Sequence, residues 1–484
     1  MSQEGCLLQI WISLFVFTNS IAGDCPYQEC SCNGYEIACD DLGLPAIPPI
    51  TGDSSGFSSL LLDANHITAI PSGSLPPGLT TISLSDNPIA TIDDDAFSGS
   101  ATTLHSLSFS GANFSRIPDA FLRLQNLKYF DFYNANIQDW NDEAMKQIGK
   151  TMINLDLENV GFKNWPTWLA YFTNLLLLTV DFSHISSVPD NALDKVATSL
   201  SGLSISNGSL TSVPKTISNL LLLESLHLHA NKISNLTWLP QSKTLSTLSL
   251  NNNRISDATH LSNMLRPFGQ SLRSLEIERN LLSAIPDLSF LKQVSSLDFS
   301  FNRISDPTSG AMPDGLYEFD LSNNLLPSVP IIWTNLSSVS SMYLAHNLIG
   351  HIQEADFQQF ITEVDLSYNL LTELKDSSFP SQSKIMLLNL NNNPIKTIYS
   401  HAFDGLSSLT SLSLQHTQLT HLPLALASLM TLYTLDMSYS PGLVCTCQEK
   451  SLKTRILSVN QVFGQCGETD IQEFFSALSP LCPT

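Results

Sequence analysis

Two histidines, His227 and His229, stand two residues apart in the run Leu226-His-Leu228-His. On a strand that spacing turns both rings to one side, as imidazoles would stand to hold Zn2+ or Cu2+. A third donor is needed, and the positions flanking them in neighbouring segments of like pattern are Ser204, Ser206, Ser249 and Asn251. None is a good zinc ligand, so the pair reads as solvent-facing or partner-facing and no metal is expected. Carboxylates occupy equivalent positions at Glu158, Asp181, Glu276 and Glu278, with Tyr133 among them and Phe182 one place beyond Asp181. That set suits ionic contact with a basic protein around aromatic anchors. The acidic triplet Asp93-Asp94-Asp95 lacks a shaped calcium loop. Support for catalysis is missing: there is no H-E-x-x-H, and Gly149-Lys150-Thr151 has Ala144 where a phosphate loop needs its first glycine. No catalytic residue and no cofactor are expected.

The elements that position these side chains repeat. The phrase Leu316-Tyr-Glu-Phe319-Asp-Leu321-Ser-Asn-Asn324-Leu-Leu326 recurs with variations from Phe57 to Leu443. Its asparagine position falls at Asn65, Asn87, Ala112, Ala135, Val160, Ser183, Gly208, Asn231, Asn253, Asn280, Asn302, Asn324, Asn347, Asn369, Asn393, Thr417 and Ser440, giving 17 coils spaced 22 to 27 residues. Each L-x-L core predicts a short strand with its leucines inside and its intervening residue in solvent. An inward asparagine amide can both donate to and accept from backbone groups that the following bend leaves unpaired, so the stacked coils should carry an asparagine ladder. Coils three to seven break it.

The phrase resembles the leucine-rich repeat consensus L-x-x-L-x-L-x-x-N-x-L. The resemblance implies an α/β solenoid, a leucine-rich repeat horseshoe with a parallel concave sheet and an irregular or short-helical outer side. Helical turns are expected at 142–148 and 191–197. Extended outer backbone is expected where an apolar residue precedes proline, as at Ile70-Pro71, Val188-Pro189, Val213-Pro214 and Ile285-Pro286. Phe97, Phe121, Phe357 and Phe403 are expected inside the outer wall.

Eight of the nine cysteines cluster near the ends, as C-x4-C-x-C-x6-C and C-x-C-x18-C-x15-C, and an even, clustered set argues for disulfides over metal. Both clusters resemble the flanking caps of extracellular leucine-rich repeat proteins. That resemblance implies the pairs Cys25 with Cys32, Cys30 with Cys39, Cys445 with Cys466, and Cys447 with Cys482. The expected organisation is a signal peptide at 1–22, a cysteine-rich cap at 23–56, an array of about 17 repeats at 57–443 and a second cap at 444–484.

The signal rests on an apolar run from Leu7 to Phe17 followed by Ser20 and Ala22, too short to span a bilayer. Only Pro483 and Thr484 follow Cys482, so neither a spanning helix nor a lipid anchor is expected, and the expected location is the extracellular space or matrix. Export makes Asn113, Asn207, Asn235 and Asn335 glycosylation sites by their N-x-S/T context. The formal charge is -22, which disfavours nucleic acid and anionic lipid as partners. At the two solvent-facing strand positions of the 17 coils, 11 of 34 residues are Asp or Glu and none is Lys or Arg. Asp298, Asp320, Asp365 and Asp436 belong to the common D-L-S-x-N version of the repeat and need no ligand. The expectation is a glycosylated binding protein whose acidic concave face takes a protein ligand, as a matrix or receptor-ligand scaffold. The alternatives are a non-catalytic subunit of a secreted enzyme such as a luciferase, and a soluble immune pattern-recognition protein.

Overall fold

The structure, a computed structural model, describes residues 25–376 and 378–479, with the backbone but not the side chain of Asn335. The signal segment and Cys482 lie outside the described residues. The chain forms two compact units, one ending at Met152 and the other beginning at Ile153.

In the first unit a hairpin, Ser31–Asn33 with Glu36–Ala38, opens the sheet. Parallel strands Ser59–Leu61, Thr81–Leu84, Ser106–Ser110 and Tyr129–Tyr133 then add one per coil. Disulfides join Cys25 to Cys32 and Cys30 to Cys39 across the hairpin region. The interior here is aromatic. Phe130 is fully buried, with the Phe121 ring 5.5 Å away and the Phe132 ring 5.6 Å away. The wall residues Phe97 and Phe121 meet edge to face at 6.0 Å. The helix Asp142–Ile148 forms as its composition predicts, begun by the side chain of Asn141, which accepts from the Ala144 N–H.

In the second unit, parallel strands run without interruption from Asn154–Glu158 to Gln461–Phe463, one per coil and in register. Strand leucines such as Leu226, Leu248, Leu412 and Leu435 are wholly buried, so each coil completes its interior only against the next. Phe357 and Phe403 are also buried, linked through Phe379 at 5.2 and 6.4 Å. Near the far end Cys445 joins Cys466. Cys447 is disulfide-bonded too, and its expected partner Cys482 is outside the described residues.

The asparagine ladder is present. Asn324 is typical: its Nδ2 donates to the carbonyls of Phe299 (3.0 Å), Leu321 (3.1 Å) and Ser322 (3.2 Å), and its Oδ1 accepts from the Ile304 N–H at 2.9 Å. One side chain thus closes its own bend and fastens it to the preceding coil. Gly208, which replaces a ladder asparagine, lies so close to Asn231 that an added Cβ would stand 2.8 Å from the Asn231 Oδ1.

Val213-Pro214 is extended as expected, with Pro214 at φ -60° and ψ 137°. It leads into a 3-10 helix, Lys215–Asn219, and the same follows Pro118, Pro166, Pro330 and Pro423. Proline's fixed φ suits the residue that opens a helical turn, and its missing N–H is not needed there. The turn expected over 191–197 shrinks to Asp194–Val196.

Candidate site on the open face of the sheet

The second unit's strands place Glu276, Asp298, Asp320, Tyr343, Asp365 and Asn389 opposite one another in successive register, so carboxylates line up along the sheet one coil apart. Like charges directly opposite in a sheet repel. Part of this row is internally satisfied. The Oδ1 atoms of Asp298, Asp320, Asp365 and Asp436 accept the N–H of Ser300, Ser322, Ser367 and Ser438 at 2.6 to 2.9 Å, each bracing its own bend. Glu276 and Glu318 are exposed. Glu318 accepts from the Ser296 hydroxyl at 2.9 Å, and Glu363 accepts from Ser341 and Tyr343, each at 3.2 Å. Burial raises the Glu278 carboxyl above its usual range, and a hydrogen bond and like charge from Asp298 add to that. Burial also raises Asp320.

Asp181 does not belong to the free surface. It is 8% exposed, its carboxylate accepts from the Ser204 hydroxyl at 2.8 Å and from the Ser206 N–H at 2.6 Å, and so it serves as a bracket between two coils. Glu158, half-buried two residues from Asp156, is pushed up to about 7 by burial and then by the charges of Asp156 and Asp181. A carboxyl whose folded pKa exceeds its unfolded value holds a proton that the unfolded chain has lost. Its contribution to stability is full below the ordinary glutamate range and disappears as pH rises through about 7. Glu158→Gln is therefore expected to raise the melting temperature at pH 8, on the order of 1–2 °C once solvent screening is allowed for, and to change it little at pH 5. Thermal melts at the two pH values check this, and an equal shift at both would contradict it.

His227 and His229 are both half-buried, with ring centroids 6.4 Å apart, and the His227 Nε2 lies 2.8 Å from the Ser225 hydroxyl. Burial lowers the His227 pKa, with the Glu276 charge acting the other way. Among the described residues no group of three or more His, Cys, Asp or Glu is arranged to hold a metal ion. Tyr133, half-buried at the end of its strand, belongs to the first unit and sits in register with Ser110. Phe182 is 54% exposed. Asn113 and Asn235 are exposed, Asn207 is half-buried, and the Asn235 amide oxygen accepts from the Thr237 N–H of its own sequon.

The sequence reading missed a row beside the sheet. The residue just before the asparagine position is left-handed in every coil, from Ala64 (φ 54°) to Tyr439 (φ 57°), and Phe182 (φ 51°) is one of this row. A hydrogen bond to the next coil fixes the conformation, as where the His346 N–H donates to Ser367 (2.9 Å) and the Tyr368 N–H to Asn391 (2.8 Å). Asparagine is the side chain that adopts this backbone most readily after glycine, and its presence at 134, 159, 207, 252, 323 and 392 was the available signal.

Known proteins carry the same pattern. Residues 361–419 match the family described as leucine rich repeat, and residues 64–165 match the BspA type leucine rich repeat region. A human protein, leucine-rich repeats and immunoglobulin-like domains protein 1, is 37% identical over 126 residues, 25% of this chain and 12% of its own length. The chain thus spans only a small part of that relative. A leucine-rich repeat protein of Leptospira interrogans superposes with a TM-score of 0.57 at 22% identity, covering 70% of this chain and 85% of that one. The plant peptide hormone receptor RGFR1, solved in complex with RGF2, gives 0.55 at 18% identity over 86% of this chain and 76% of its own. Among the described residues no helix is long and apolar enough to cross a membrane. With the stacked leucine interiors, the asparagine ladder and disulfides near both ends, these likenesses make the chain a leucine-rich repeat protein with cysteine caps, built as an α/β solenoid.

Proposed function

We propose that this chain is a secreted, non-enzymatic, glycosylated binding protein, a matrix or receptor-ligand scaffold, that holds a basic protein against the open face of its sheet. In this reading residues 23–56 and 444–484 cap an array at 57–443, and sugars sit at the exposed Asn113 and Asn235. The observation that carries it is the in-register run Glu276, Asp298 and Asp320, flanked by Glu278 and Glu318. Keeping like charges opposite one another costs stability. A cationic partner surface relieves that cost: the solvent-facing strand positions carry no Lys or Arg, and Arg279 beside them meets Glu278 at 3.9 Å. Tyr133 and His229 are the proposed non-acidic contacts on the equivalent face of their own units. A neighbour of similar fold, the plant peptide hormone receptor RGFR1, was solved in complex with RGF2, which supports protein or peptide as the ligand class.

The test is capture of partners by the immobilised protein from the fluid or matrix of its native source, at about 0.05 M and at about 0.5 M salt. Basic proteins held at low salt and released at high salt are expected, with Glu276→Gln/Glu278→Gln/Glu318→Gln losing most of the capture. Capture indifferent to both salt and these substitutions would overturn the proposal.

A further inference from the structure

In the second unit the left-handed row beside the open face is strongly aromatic. Arg279, Phe301, His346, Tyr368, His416 and Tyr439 occupy it at φ between 51° and 57°, a backbone that bulky side chains adopt at a conformational cost which asparagine or glycine would spare. All six are exposed, so burial does not repay that cost. They stack along the solenoid instead. The His346 and Tyr368 rings lie 4.0 Å apart and 11° from parallel, and those of His416 and Tyr439 lie 4.8 Å apart and 5° from parallel. The Arg279 guanidinium lies 4.0 Å from the Phe301 ring centroid.

The row is interrupted twice in the same way. Asn323 stands between Phe301 and His346, and Asn392 stands between Tyr368 and His416. One coil step at this row measures 4.0 to 4.8 Å between stacked centroids. Two steps therefore leave roughly 8–10 Å between the rings on either side of each asparagine, room for one planar group in contact with both. Each gap has an aromatic ring on one side, an imidazole on the other and an asparagine between them.

We propose that these two gaps are slots for arginine side chains of a basic partner. The guanidinium is the planar cation that stacks on aromatic faces, whereas the lysine ammonium is a compact, strongly hydrated charge. Arg279 on Phe301 shows the chain's own guanidinium using this row. The formal charge of -22 and the adjacent Glu276, Glu278 and Glu318 supply the attraction. The inference rests on the basic-partner reading above and adds to it a preference for arginine over lysine and a spacing. The asparagines are three coils apart, about 14 Å, which an extended peptide covers in four residues.

The probes are glycine-serine peptides carrying two arginines four residues apart, two lysines four apart, or two arginines two apart, titrated by calorimetry against the full chain. The arginine peptide of spacing four is expected to bind about five- to tenfold more tightly than either other. Phe301→Asn and Tyr368→Asn install the side chain that other coils carry at this position, so the backbone is retained, and both are expected to erase the preference. Equal binding of arginine and lysine peptides, lost only in the Glu276, Glu278 and Glu318 variant, overturns the slots and leaves the acidic face standing. No binding of any peptide overturns both.

Discussion

Asn324→Asp destabilises the second unit by about 3–5 kcal/mol at neutral pH, although the two side chains are nearly the same shape. Asn324 is 5% exposed, and its amide nitrogen faces three carbonyl oxygens. A carboxylate there keeps the acceptor for the Ile304 N–H but sets a negative charge against those oxygens without a donor. The variant carboxyl is thus raised in the folded state. Its proton is held by the folded chain over a range where the unfolded chain has released it, so the deficit grows as pH rises and shrinks towards pH 4, where the protonated group donates one hydrogen bond. Urea unfolding of both proteins at pH 4.5 and pH 7.5 measures the difference. A loss of the same size at both would mean that the amide's donors are not what fastens one coil to the next.

Phe130→Ala is expected to cost about 3–5 kcal/mol in the first unit, and Phe130→Leu less than half of that. The ring is fully buried between Phe121 and Phe132, and Phe109 meets Phe121 and Phe132 at 6.3 and 6.1 Å, so truncation opens a cavity that rings cannot easily fill. Hydrogen exchange over 106–133 reads the loss. Small, equal effects of the two substitutions would show that the coil collapses around the gap.

What the sequence disclosed was what repeats by residue type. The strand leucines, the ladder asparagines from Asn231 to Asn393 and the wall phenylalanines recur as the same or similar side chains, because an interior shared by stacked coils accepts few alternatives. What it hid was conformation imposed by neighbouring coils. Position 279 is Arg, 301 is Phe and 346 is His, yet all three share one left-handed backbone because each donates its N–H to the coil that follows. Asp181 read as a surface carboxylate, and only the approach of Ser204 and Ser206 from the next coil reveals it as a bracket. The proline-led 3-10 turns were hidden for a different reason: proline before a turn and proline in extended backbone share the same φ.

The charged face is the part on which the functional reading depends. Zero-length carbodiimide coupling of carboxylates to partner lysines, followed by peptide mapping of the complex from the native source, addresses it most directly. Links through Glu276, Glu278 or Glu318 are the expected result. Links confined to outer-side carboxylates such as Asp257 and Asp287, with none on the sheet, would contradict it.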